Sequence, residues 1–189
     1  LGVRLLTREQ EAELVLEAYA NRKPARIGWA DGQATNISIN RRHADGPIDP
    51  RVGVTWVEDE QEQCIALLVN FAVHTCLLPS VNLYYSADVS GFAMAALERA
   101  YAGAVALFLN GAAGNINPAA YPWGPPADVV PLFRKAYRAG LPHPRTMRNA
   151  DRLGKILAGV VMQSAEQVRD LRDDTVIRAL TCPVSLPLK

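Results

Sequence analysis

A histidine standing directly behind an apolar run is the first group in this sequence placed to do chemistry. His74 follows Phe71-Ala72-Val73, at the end of the nearly continuous apolar stretch from Cys64 to Ala72. If that stretch is a strand, His74 sits at its carboxyl end, where open α/β sheets hold their ligands. An imidazole there can bind a metal or move a proton near neutral pH, or it can be a loop histidine held by hydrogen bonds. A second able stretch is Asn110-Gly111-Ala112-Ala113-Gly114-Asn115-Ile116-Asn117-Pro118, directly after the apolar run Ala104 to Leu109. Gly111 and Gly114 allow backbone angles that expose amide N–H groups to a substrate oxygen or phosphate, and the asparagines add hydrogen bonds. The same residues also suit a plain chain reversal. Asp88 fits a helix N-cap, with a second role open to it as the acceptor that fixes the tautomer of a metal-bound histidine. Arg41 and Arg42 can grip a carbonyl or carboxylate through their guanidinium N–H groups, or stand as solvated surface. His43 and His143 lie in proline-containing polar loops and are read as surface. Trp29, Trp56 and Trp123 are read as core or loop-anchoring aromatics.

These groups need elements that bring them together. Asp88 to Gly103 carries Val89, Phe92, Ala93, Ala96, Leu97 and Ala100 at helical spacing, with Gly103 as a stop. Residues 64 to 109 therefore spell strand, helix, strand, the unit that forms a parallel pair. Both strands of such a pair end on one edge, so His74 and the Gly111 to Asn117 turn are expected on the same side of the sheet. Upstream, Thr7 and Gln10 have capping-box spacing before an amphipathic helix, Arg8 to Ala20, with Leu14, Val15, Ala18 and Tyr19 on one face. Arg26 to Ile39 predicts one or two short strands interrupted by Gly28 and Gly32. Val52 to Val57 is a strand joined to the buried central strand at Cys64 by the polar hairpin turn Glu58 to Gln63. Beyond the loop Pro118 to Pro126 come a short helix over 129–138 and then a long one from Thr146. Leu153, Ile156, Leu157, Val160, Val161, Val168 and Leu171 form the apolar stripe of that helix. Thr175 to Leu186 has strand character.

Composition excludes several functions. Twenty basic and 19 acidic side chains leave no field to draw nucleic acid or anionic lipid. The longest apolar runs fall far short of the roughly 18 residues a membrane span requires. A chain of 189 residues buries a sizeable core without a structural metal or disulfides. Cys64, Cys76 and Cys182 show no paired ligand spacing and are read as buried, inert thiols. The compartment, cytoplasmic or secreted, stays open because the sequence starts at Leu1 with no export signal to read.

Taken together, three segments resemble the amino-terminal domain of the neutral/alkaline ceramidase family. They are Asn70-Phe71-Ala72-Val73-His74-Thr75, then Ser86-Ala87-Asp88 leading through Gly91 into a helix, then Leu107 through Pro118. Ile39-Asn40-Arg41-Arg42 is similar to an Asn-Arg segment of that family, and Asn149 to Val161 to its Leu-Gly-containing helix. The resemblance runs over roughly residues 20 to 165, and its joint order and spacing are more specific than any one piece. It implies a catalytic Zn2+ held by histidines with later Glu and Tyr ligands, and hydrolysis of the amide joining a fatty acyl group to a sphingoid base. Residue by residue it makes His74 a zinc ligand and Arg41 a substrate or oxyanion contact. Two departures stand out. The family's His-x-His segment and its Glu and Tyr ligands have no counterpart in these 189 residues, so this chain alone is expected not to hold the metal. Gly114-Asn115-Ile116-Asn117-Pro118 replaces the family's Gly-Asp-Val-Ser-Pro, so Asn117 stands at the position of its catalytic serine.

The reading that follows is one partial α/β domain over residues 1–189, with a mixed, largely parallel sheet flanked by helices, belonging to a zinc-dependent hydrolase of a linear amide. Arg41, Asn115 and Asn117 are its catalytic candidates, and Asn40, Gly111 and Gly114 its substrate-binding ones. His74 is the metal ligand and Asp88 stands behind it. The partner is a small-molecule or lipid amide, with no nucleic acid and no transmembrane segment. One competing reading is a noncatalytic relative that keeps the fold as a ligand-binding or interaction module. Another is a phosphate- or nucleotide-binding α/β protein, which no Gly-Lys-Ser/Thr or Gly-x-Gly-x-x-Gly pattern supports.

Overall fold

The computed structural model describes residues 7–43, 45–79, 82–119, 145–176 and 178–185. Its elements in chain order are α1 (Arg8–Ala20), β1 (Arg26–Gln33), β2 (Ser38–Asn40), β3 (Arg51–Glu58), β4 (Cys64–Phe71), α2 (Asp88–Ala100), β5 (Val105–Asn110), β6 (Ile116–Pro118) and α3 (Met147–Ala165). The main sheet has the order β1-β3-β4-β5, and β2 pairs with β6 in a separate two-stranded ribbon.

The sheet is mixed, but mostly antiparallel rather than largely parallel. β1 with β3 and β3 with β4 run antiparallel, and among the described residues only β4 with β5 is parallel. The reason lies in the connections. Residues 59–63 between β3 and β4 form a tight turn, with the Asp59 carboxylate accepting from the Gln61 and Gln63 N–H groups, and so short a link can only reverse the chain. α2 supplies the crossover that a parallel neighbour needs, and it does so once. β4 is interior, as its apolar run predicted.

α2 and α3 pack on one face of this sheet. Val52, Val54, Leu67, Val69, Phe71 and Ala106 from the strands meet Ala93, Met94 and Leu97 of α2 and Leu157, Ala158 and Val161 of α3. Full burial of each larger side chain contributes roughly 1.5–3 kcal/mol, an upper bound because the unfolded chain is itself partly collapsed. Trp56 is on this side, its ring edge-on to Tyr101 at 5.1 Å and its Nε1–H donating to Glu58 Oε2. Gly28 and Gly32 do not interrupt β1. They let the end of α3 come close, since a Cβ at Gly28 would lie 2.5 Å from Val168 Cγ1 and one at Gly32 would strike Ser164 Oγ. The opposite sheet face carries Val105, Leu107 and Leu109, each about half exposed, and Trp29, 53% exposed. Trp29 is therefore not a core residue.

Several other expectations are revised. α1 forms with its capping box, Gln10 N–H donating to Thr7 Oγ1 and Thr7 N–H to Gln10 Oε1. None of its residues is buried, so the apolar face predicted for it is uncovered. α3 stops at Ala165, which leaves Val168 and Leu171 of the expected stripe beyond the helix, and Ile156 is exposed. Residues 175–185, where described, form no strand and are exposed. β propensity makes a strand only where a partner accepts its ladder, and among the described residues the isolated Ile27–Arg172 bridge to β1 falls before this segment. Cys182, within this segment, is exposed, and so is Cys76 in the loop after β4. Cys64 is half-buried, and that burial pushes its thiol up to about 11. The expected helix over 129–138, most of the loop Pro118 to Pro126, Trp123 and His143 lie outside the described residues.

Packing of this kind predicts a contrast. Leu157→Ala, which empties a fully buried site facing the sheet, should cost about 2–5 kcal/mol. Leu14→Ala on α1 should change stability by no more than about 0.5 kcal/mol. Urea unfolding of both variants checks the pair.

Candidate active site

The two chemically able loops do converge. Phe71 and Asn110 are register partners at the end of the β4–β5 pair, so both strands release their chains on one edge. The Gly111 N–H donates to the Phe71 carbonyl at 3.0 Å and the His74 N–H to the Ile116 carbonyl at 3.0 Å. His74 is thereby tied by its backbone to β6, the strand that holds Asn117. β6 pairs with β2 in the register Ser38↔Pro118, Ile39↔Asn117 and Asn40↔Ile116, which brings the Asn40-Arg41-Arg42 segment to the same place. Ser38, Asn40 and Asn117 are all buried.

Each residue then has a definite environment. Arg41 lies against the asparagine turn, its N–H donating to the Asn115 carbonyl at 2.8 Å and its Nη2 to the Gly114 carbonyl at 2.9 Å. Its Nε–H is buried and without a partner among the described residues. Asn40 organises the following loop: Oδ1 accepts from the Arg42 and His43 N–H groups, and Nδ2 donates to the Pro47 carbonyl. His43 and Arg42 are exposed. Asn117 is 3% exposed, and its Oδ1 lies 3.9 Å from the Cys76 sulfur. Partial burial, and then the Asp88 carboxylate, push the Cys76 thiol above its ordinary value, with Arg145 and Arg41 pulling the other way.

The glycines work differently from the expectation. Neither Gly111 nor Gly114 has a positive φ. Gly111 is required by close approach, because a Cβ there would lie 3.1 Å from Ala72 N and 3.2 Å from Ala72 Cα and Phe71 C. Its N–H is already used by Phe71. A Cβ at Gly114 would meet nothing within 4 Å. Asp88 is the first residue of α2 and not its N-cap, a place taken by Ala87. Its Oδ1 accepts from the Val89 N–H at 2.7 Å and its Oδ2 from the Leu78 N–H at 2.8 Å.

Local patterns do not point to three further residues of this region. Ser38 is buried with its Oγ unpartnered among the described residues, Cys76 abuts Asn117, and Arg145 reaches the loop after His74. The sole available signal was the position of Cys76 two residues past His74. Among the described residues, no group of three or more His, Cys, Asp or Glu side chains could hold a metal ion. His74 offers one nitrogen, which falls short of the three protein ligands usual for catalytic zinc, so the described residues do not make a zinc site by themselves. What the arrangement provides is an imidazole, a guanidinium and a side-chain amide on one sheet edge.

The architecture is that of known ceramidase structures. It is similar to the crystal structure of neutral ceramidase from Pseudomonas aeruginosa, with a TM-score of 0.62 and 23% identity over 84% of this chain and 25% of that one. It is also similar to a ceramidase complexed with C2, with a TM-score of 0.59 and 21% identity over 85% of this chain and 26% of the other. The chain thus spans about a quarter of the length of these structures. No family model and no curated protein matches the sequence. No helix among the described residues is long and apolar enough to cross a membrane.

Gly111→Ala tests whether the two loops depend on this close approach. The added methyl meets backbone, which cannot rotate away, so a loss of about 1–3 kcal/mol is expected. Thermal or urea unfolding reads it.

Proposed function

We propose that this chain forms the histidine-bearing part of an amide hydrolase of the neutral ceramidase kind, acting with Zn2+ on a small-molecule or lipid N-acyl substrate. The observation that carries the reading is the convergence of His74 with the β6 strand bearing Asn117 at the carboxyl edge of the parallel β4–β5 pair. The ceramidase-like fold and the sequence resemblance support it.

In this reading His74 gives one nitrogen to the metal, and the other ligands come from outside the described residues. A zinc ion held there would supply Lewis-acid chemistry, polarising an amide carbonyl and making water more acidic. The chain's own residues bind and orient. Arg41, anchored through one Nη to Gly114, directs the rest of its guanidinium at the substrate carbonyl. Asn40 holds the loop that presents Arg41, and Gly111 lets the two site loops approach. The Gly114 N–H and the side chains of Asn115 and Asn117 serve as donors to the developing oxyanion. Asn117 has no hydroxyl, so no acyl-enzyme forms at the position where the family has serine.

A noncatalytic, ligand-binding relative is the second reading, favoured by the burial of Asn117 and by the engagement of the Gly111 N–H. The full-length sequence separates the two. An upstream His-x-His with downstream Glu and Tyr ligands fits the enzyme, and their absence fits the binding module.

In the whole protein, His74→Ala is expected to abolish zinc binding, read by metal analysis of the purified variant. Stoichiometric zinc would remove His74 from the ligand set. Asn117→Ala should retain zinc and lower turnover by about a hundredfold to a thousandfold, the scale for losing one oxyanion donor. Unchanged turnover would reduce Asn117 to a turn residue.

A further inference from the structure

The loop leaving β4 beyond His74 is gripped from two sides by opposite charges. Asp88 Oδ2 accepts the Leu78 N–H. The Arg145 guanidinium donates through Nε to the Leu77 carbonyl at 2.7 Å, and through Nη2 to the Leu78 carbonyl at 2.7 Å and the Cys76 carbonyl at 3.3 Å. Hydrogen bonds with one ionised partner are about twice as strong as neutral ones, and the fixed donor fork of a guanidinium suits a site with three carbonyls to bind. Asp88 itself has φ 54° and is 4% exposed, a left-handed backbone that Asp adopts more readily than most residues when local hydrogen bonds constrain its side chain. Its two carboxylate oxygens and its own N–H, which donates to Ser86 Oγ at 3.0 Å, supply that constraint.

The segment from His74 to Leu78 is therefore pinned at both ends. Its start is held by the His74 N–H on the Ile116 carbonyl, and its end by Asp88 and Arg145. Between them the Cys76 sulfur rests near Asn117 Oδ1.

We propose that Arg145, working with Asp88, is a positioning residue that sets where His74 stands relative to Asn117. It acts through the backbone it holds, and it transmits the placement of α3, which begins two residues later, to the site. The catalytic consequence rests on the proposed function, whereas the clamp itself does not. Misplacing a reacting group by about 1 Å costs on the order of a hundredfold in rate.

The test uses R145K, which keeps the charge but loses the fork, and D88N, which keeps the shape but loses the charge. In the whole protein each should speed amide hydrogen exchange of the 74–79 peptide by about tenfold or more, the scale for losing one charge-assisted bond in a local opening. The 52–57 peptide in β3 should exchange as before, with little change in the urea midpoint. On its own amide substrate kcat should fall about tenfold to a hundredfold with KM within about twofold. Should R145K fail to fold, D88N asks the same question from the other side of the peptide. Unchanged exchange in the variants overturns the clamp, and a loss carried wholly by KM overturns its role in positioning His74. Full activity in His74→Ala instead sinks the proposed function, and faster exchange would still uphold the clamp.

Discussion

Phe71 and Asn110 face each other on the last rung of the parallel β4–β5 pair, and the candidate site hangs from that rung. With α2 as the crossover, both strands point the same way and deliver their following loops to one edge. An antiparallel β5 would have carried the asparagine turn a strand length away, about 20 Å for six residues. One further bond, from the Gly111 N–H to the Phe71 carbonyl, extends the ladder past the strand and holds the loops so near that a Cβ at position 111 would press on the Ala72 backbone. The β2–β6 ribbon adds Arg41 to this edge. Four segments, around residues 40, 74, 88 and 115, are thus assembled, those at 40, 74 and 115 by backbone bonds and that at 88 by its carboxylate on the Leu78 N–H.

The helical layer and the site are not independent. α3 buries Leu153, Leu157 and Val161, and the residue just before its N-cap Thr146 reaches the carbonyls behind His74. A site held by elements of a packed core keeps its geometry better than one held by loops alone. Leu77, fully buried with Val89, Ala150 and Leu153, fastens the same loop from the apolar side. Polar clamp and apolar anchor act on neighbouring residues of a single stretch.

What could be read from the sequence follows the range of the physics involved. The strands β3 and β4, the helices α2 and α3 and the shared edge of His74 with the asparagine turn were legible because local periodicity and one strand-helix-strand order determine them. The direction of the sheet was misjudged because that one unit was extended to all the strands, although the short turn over 59–63 already demanded an antiparallel pair. Exposure was less legible still. The apolar residues of α1, the segment after Thr175 and the thiols of Cys76 and Cys182 have patterns suited to burial, but burial depends on partners that no local pattern specifies. Arg145 bonds to carbonyls 67 to 69 positions earlier in the chain, and no spacing rule reaches that far. Asp88 was recognised as a polar group at a helix start, whereas its link to Leu78 required the folded loop.

The main sheet is asymmetric in its two tryptophans. Trp29 stands on the face that the two helices leave bare, and Trp56, on the other face, is packed against Tyr101 and bonded to Glu58. An indole in water emits light of longer wavelength than one enclosed by protein, so among the described residues the two sides of the sheet carry distinguishable fluorophores. Whatever comes to lie over Trp29, Leu107 and Leu109 would shift the red component of the emission toward the blue and leave the Trp56 component in place. The bare face therefore carries its own optical gauge of coverage.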